Sequence, residues 1–186
     1  MRVRVEQADL DAAFGAVEGS PALAASAELV RAGRRPVEMV QAMALRPELL
    51  SAFAAMGTAV HAGGLVDPSI KELVILEVSR LNACRFCVDS HVALARMMGL
   101  GEEPLELLDD PARLSEPQRA AVEFATAVVS DSNRVPDALF ERLRRFFSDA
   151  EIVELTAAIG LIHMLNLFNN ALQLTYNGEY EASREA

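Results

Sequence analysis

The longest apolar stretch of this chain runs from Ile152 to Leu174, broken only by residues such as Glu154, His163, Asn166, Asn169 and Asn170. A membrane span prefers about 20 largely apolar residues, so these interruptions favour a helix buried within a fold. Nowhere does a run of alternating apolar and polar residues, bounded by turns, make a convincing strand. The expected class is therefore all-α. Hydrophobic residues make up 52% of the 186 positions but aromatics only 5%, so alanine, leucine and valine must supply the packing. A chain of this length suits one domain with a sizeable core, and a single all-helical domain over residues 1–186 is expected.

Helix starts and stops punctuate the sequence. Asp9 to Val17 and Pro21 to Arg31 read as short helices separated by Gly19-Ser20. Arg46-Pro47 opens a helix expected to reach about His61 and to stop at Gly63-Gly64. Asp67-Pro68-Ser69 is a start signal, with proline suited to a first turn, and the helix should run to Leu81. The next segment should run to about Met98, where Gly99-Leu100-Gly101 closes it. Ser115-Glu116-Pro117 should begin a helix that ends near Ser130, and Pro136 a shorter one that ends near Phe147. Ser148-Asp149-Ala150-Glu151 has capping-box spacing and should start the long apolar helix, which is expected to reach Tyr176.

Charge excludes one class of partner. With 17 Lys and Arg against 27 Asp and Glu, the formal net charge is −10. Nucleic-acid binding draws largely on lysine and arginine, and none is expected here. The local cluster Arg142, Arg144 and Arg145 is flanked by Glu141 and Asp149 and reads as a solvated helix face. Met1 to Leu10 is mixed and charged, without the apolar core of a secretory leader. No membrane segment is expected, and the default compartment is a reducing cytoplasm.

The only two cysteines form Cys84-Arg85-Phe86-Cys87, and His91 lies one further helical turn on. A bridge between cysteines this close closes almost no loop, so it removes little unfolded-state entropy. That favours chemistry over stapling. On a helix, positions i, i+3 and i+7 share a face, and cysteines one turn apart fall within disulfide range. The local physics points two ways. Asn82 is a plausible N-cap that would put Cys84 in a first turn, where a thiolate is favoured. Cys87 instead stands four residues before His91, within reach of the imidazole. Either thiol could be the more acidic on these grounds. Zinc is the chemical rival, but three ligands on one straight helix face rarely wrap a tetrahedral ion, so no metal is assigned.

Three stretches carry a family resemblance: Gly63-Gly64-Leu65-Val66-Asp67-Pro68, Lys71-Glu72-Leu73-Val74-Ile75-Leu76, and Arg80-Leu81-Asn82-Ala83-Cys84-Arg85-Phe86-Cys87 with His91. Together they resemble the carboxymuconolactone decarboxylase superfamily, in its alkylhydroperoxidase D-like branch. The resemblance implies a helical bundle that assembles as a homo-oligomer, with the redox motif within residues 67–99. It also implies a thiol peroxidase, or a closely related dithiol oxidoreductase, that needs no bound cofactor. Cys87 would attack a hydroperoxide, Cys84 would resolve the sulfenic acid as a disulfide, and a dithiol reductant would restore both. Glu72 and His91 match the family's proton relay. One departure is Phe86, where better-known members carry a further histidine, so the relay is shorter here. The decarboxylases that name the superfamily lack the cysteine pair, which disfavours that reaction.

Other polar residues have plainer readings. His61 precedes a Gly-Gly turn and is expected on the surface near a helix end. His163 is expected to be a core histidine with hydrogen-bond partners. Asn166, Asn169 and Asn170 share a face and are expected in interhelical hydrogen bonds or a subunit contact. The functional alternative to an enzyme is a non-enzymatic redox sensor or oligomeric binding protein, in which the same disulfide would switch a surface or an assembly state.

Overall fold

A side-chain cap or a proline in the first turn sets where most of the described α-helices begin. The computed structural model describes residues 1–17, 19–62, 64–101 and 103–182, and among these it contains helices and turns but no strand. The chain gathers into two compact units, Met1–Gly63 with Ala171–Ala186, and Gly64–Asn170.

In the first unit, α1 (Gln7–Ala16) opens on a capping box in which the Glu6 N–H donates to Asp9 Oδ2 at 2.8 Å. A 3₁₀ turn at Pro21–Leu23 leads into α2 (Ala24–Arg31). Next come α3 (Glu38–Ala44), a short helix that the sequence patterns did not signal, and α4 (Pro47–Gly57). The helix expected to reach His61 passes instead into a π-helical turn, Thr58–Ala62, on which His61 is half-buried rather than at the surface. Gly63, expected in the stop signal, lies outside the described residues. Leu10, Phe14, Leu23, Met43 and Leu50 form this unit's interior. Its C-terminal segment is tied in where Glu38 Oε2 accepts the Thr175 N–H at 2.8 Å.

The second unit is built on α5 (Pro68–Leu81). Asp67 caps it by accepting the Ser69 N–H at 2.8 Å, and Pro68 fills the first position. Every residue from Ile70 to Ser79 is buried, as expected of a helix at the centre of its unit. Around it pack α6 (Arg85–Met97), α7 (Pro104–Asp109) and α8 (Glu116–Asp131), the last opened by the Ser115–Gln118 capping box. Leu73, Leu76, Ala95, Leu108, Leu114 and Val122 form the core between them. α9 (Asp137–Leu143) is shorter than expected, since Arg144, Arg145 and Phe146 form turns.

The capping box expected at Ser148 is present. Its N–H donates to Glu151 Oε2 at 2.7 Å, and the Glu151 N–H donates to Ser148 Oγ at 3.3 Å. The helix it begins, α10 (Asp149–Leu172), stops short of Tyr176, because Gln173 takes a left-handed conformation with φ 54°. By length and composition α10 could cross a membrane, with a mean hydropathy of 1.5, but 44% of its most apolar window is buried within the protein. A last short helix, α11 (Glu179–Ala182), belongs to the first unit.

Burying α5 all round brings three charged side chains inside, and buried charges need partners. Lys71, only 2% exposed, pairs with Glu154 of α10 at 3.0 Å. Glu72 meets His91 at 2.6 Å, and Glu77 meets Arg80 at 2.7 Å. The Glu154 carboxylate also accepts the N–H groups of Leu65 at 2.5 Å and Val66 at 3.2 Å, which anchors the turn before α5. Gly64 lies against this cluster. A Cβ there would overlap the Glu154 carboxylate and come 2.5 Å from Lys71 Nζ. Gly64→Ala is therefore expected to destabilise the protein by roughly 1–3 kcal/mol, read as a lower urea midpoint. An unchanged midpoint would mean that the pair shifts freely to make room.

Candidate active site

The turn from α5 into α6 delivers the cysteines. Asn82 ends α5 rather than starting α6, a correction to its expected role as N-cap. The reason is a helix-stop motif centred on Ala83. The Ala83 N–H donates to Arg80 O at 3.1 Å and the Cys84 N–H to Ser79 O at 2.9 Å, a Schellman pattern with Ala83 left-handed at φ 49°. The same pattern ends α6 at Gly99, where the φ is 79°. The reversal leaves Cys84 as the N-cap of α6, its Sγ accepting the Cys87 N–H at 3.3 Å.

Cys84 and Cys87 are joined in a disulfide, with their Cα atoms 5.3 Å apart. Both sulfurs are buried, as is Phe86 between them. One turn after Cys87 on α6, His91 Nδ1 lies 2.6 Å from Glu72 Oε1. In a neutral ring, a carboxylate facing Nδ1 selects the tautomer with the proton on Nδ1 and the lone pair on Nε2. The structure thus brings Glu72 and His91 into direct contact and places the two cysteines in a bond. Among the described residues, no three His, Cys, Asp or Glu side chains gather as a metal-binding group.

α10 closes the other side of the site with the asparagines. Asn166, fully buried, donates from Nδ2 to Ser79 Oγ at 3.2 Å and accepts from Asn82 Nδ2 at 3.0 Å. Asn82 Nδ2 also lies 3.1 Å from His163 Nδ1, and Asn170 Nδ2 donates to Asn82 O at 3.0 Å. These are the interhelical bonds expected of the asparagine face. Asn169 does something the sequence did not signal. Its Nδ2 lies 3.2 Å from Cys87 Sγ, and the residue is 2% exposed. Its spacing with Asn166 and Asn170 marks the helix face, but nothing local ties that face to a sulfur 82 residues away. A cavity of about 630 Å³ in the first unit, lined by residues such as Phe14, Leu23 and Val30, contains none of these groups.

Residues 47–127 match the carboxymuconolactone decarboxylase family. Over 111 residues the chain is 31% identical to the uncharacterized protein YdfG of Bacillus subtilis (strain 168), covering 58% of this chain and 76% of that one. The chain belongs to the carboxymuconolactone decarboxylase family. Its fold agrees with that of solved structures. It matches the alkylhydroperoxidase AhpD core structure of an uncharacterized peroxidase-related protein from Ralstonia eutropha JMP134 with a TM-score of 0.77 and 25% identity, over 96% of this chain and 93% of that one. The debrominase Bmp8 shares the fold alone, with a TM-score of 0.72 and 19% identity over 98% of this chain and 95% of that one. The fold alone therefore names no reaction, and the function must be argued from the site.

Proposed function

We propose that this carboxymuconolactone decarboxylase family member is a cysteine-based hydroperoxide reductase regenerated by a dithiol. The observation that carries the reading is the Cys84–Cys87 disulfide on the same helix as a histidine held by a buried carboxylate. In the reduced protein, His91 Nε2 draws the proton from the Cys87 thiol, directly or through water, while Glu72 steadies the ring and its developing charge. The Cys87 thiolate attacks the nearer peroxide oxygen and the O–O bond breaks. Two electrons leave the sulfur, which becomes a sulfenic acid, and the alkoxide takes a proton to leave as an alcohol. Cys84 then attacks the Cys87 sulfur. The S–S bond forms, and the hydroxyl leaves as water with a proton returned through His91. A dithiol supplies the two electrons that reopen the bridge.

The cycle needs no bound cofactor or metal, and the proposed setting is a reducing cytoplasm that keeps the thiols ready. We extend the proposal to a homo-oligomer. Val153, Met164 and Leu167 stand exposed along α10 and offer apolar surface for a second copy. The relay is tested by Glu72→Gln, which keeps the shape of the side chain and removes its charge. Steady-state consumption of an organic hydroperoxide with excess dithiol is expected to fall by about a hundredfold. Full turnover in this variant would remove the relay from the mechanism.

A further inference from the structure

Each sulfur of the pair has its own N–H donor, and the two donors differ in origin. Cys84 Sγ takes the N–H of Cys87 at 3.3 Å, which is the ordinary hydrogen bond of an N-cap residue. Cys87 Sγ takes Nδ2 of Asn169 at 3.2 Å, from a different helix. Neighbouring bonds hold that donor in place. Asn166 is tied to Ser79 and Asn170 to the Asn82 carbonyl, which pins this part of α10 to the corner between α5 and α6.

Burial alone would raise the pKa of Cys87, because a thiolate loses its hydration there. A carboxamide N–H acts in the opposite direction, since a hydrogen bond to an ionised acceptor is stronger than one to a neutral acceptor. Low local polarity strengthens it further. We propose that Asn169 is a catalytic residue that stabilises the Cys87 thiolate, making Cys87 both the nucleophile in oxidation and the leaving group in reduction. Its redox role rests on the peroxidase reading above. In reduction, a thiolate of the donor attacks Cys84 Sγ and forms a mixed disulfide. The Cys84–Cys87 bond breaks, and its electron pair stays on Cys87 Sγ beside Asn169. The donor's second thiol, as its thiolate, then attacks the donor's first sulfur in the mixed disulfide, which closes the donor's own disulfide and expels Cys84, which takes up a proton. A thiol of lower pKa leaves faster, so Asn169 directs the attack to Cys84. It also supplies a polar contact to the sulfur in a site where Phe86 stands between the cysteines.

The test is the pH dependence of alkylation by iodoacetamide, measured on reduced protein with a single cysteine. In Cys84→Ser, the midpoint for Cys87 is expected to rise by about one unit or more on adding Asn169→Ala, leaving about tenfold less thiolate near neutral pH. Asn169→Asp, of the same shape but with acceptor oxygens, should raise it further. In Cys87→Ser, the midpoint for Cys84 should stay where it was, which a general loosening of the site would not allow. Coincident Cys87 midpoints in folded variants would overturn the proposal, as would equal shifts at both cysteines. The peroxidase reading fails separately. Ordered midpoints in a wild-type protein that consumes no hydroperoxide would remove that reading and keep the contact between Asn169 and the thiolate.

Discussion

Replacing Cys87 with serine is expected to bring hydroperoxide turnover down by about three orders of magnitude or more, since the sulfur that accepts the oxygen is gone. Cys84→Ser should behave differently. Its Cys87 can still be oxidised, so about one equivalent of peroxide is consumed before the reaction stalls for want of a resolving thiol. Following peroxide loss over time separates the two, as one burst against none. The reverse pattern would exchange the roles of the cysteines. That exchange has a physical basis to be excluded, because Cys84 occupies the N-cap of α6, a position that favours a thiolate.

The second large effect is on stability. Glu154→Ala removes the counter-charge of the buried Lys71 and the acceptor for the Leu65 and Val66 N–H groups. A loss of about 3–5 kcal/mol is expected, because breaking a buried pair from one side leaves a charge uncompensated. Replacing both partners, as Lys71→Met with Glu154→Leu, should cost less than the single change. The pair also carries a pH dependence. Burial works against the charge of Glu154, but the hydrogen bonds from Leu65, Lys71 and Val66 outweigh it and hold its carboxyl below the ordinary glutamate range. A carboxyl lowered by folding contributes stability that is fully present above its unfolded pKa and is lost as pH falls through the folded one. The urea midpoint of the wild type should thus exceed that of Glu154→Gln at neutral pH, and the gap should close in acid. A gap that is constant with pH would contradict this.

The helical class and most of the helix starts were legible in the sequence because caps and prolines act over three or four residues. The starts at Asp67 and Ser115 and the capping box at Ser148 are of this kind. Boundaries failed where the backbone departed from the common patterns. Asn82 resembled an N-cap, but an alanine in a left-handed conformation closed α5 one residue later and passed the cap to Cys84. α7, with six residues, was too short to show a period. In the site, Cys84, Cys87 and His91 could be grouped by spacing alone. Glu72 entered only through family resemblance, since beside Lys71 it reads as surface, whereas both are buried. The pairing of Lys71 with Glu154 and of Asn169 with Cys87 joins residues more than 80 positions apart, a distance over which no local pattern carries information.

The most direct test of the central claim is the intact mass of reduced, metal-free protein after one equivalent of an organic hydroperoxide. The expected result is a loss of two hydrogens in the wild type, as Cys84 and Cys87 join, and a gain of one oxygen instead in Cys84→Ser. A wild-type mass that does not change would contradict a peroxidase built on this cysteine pair.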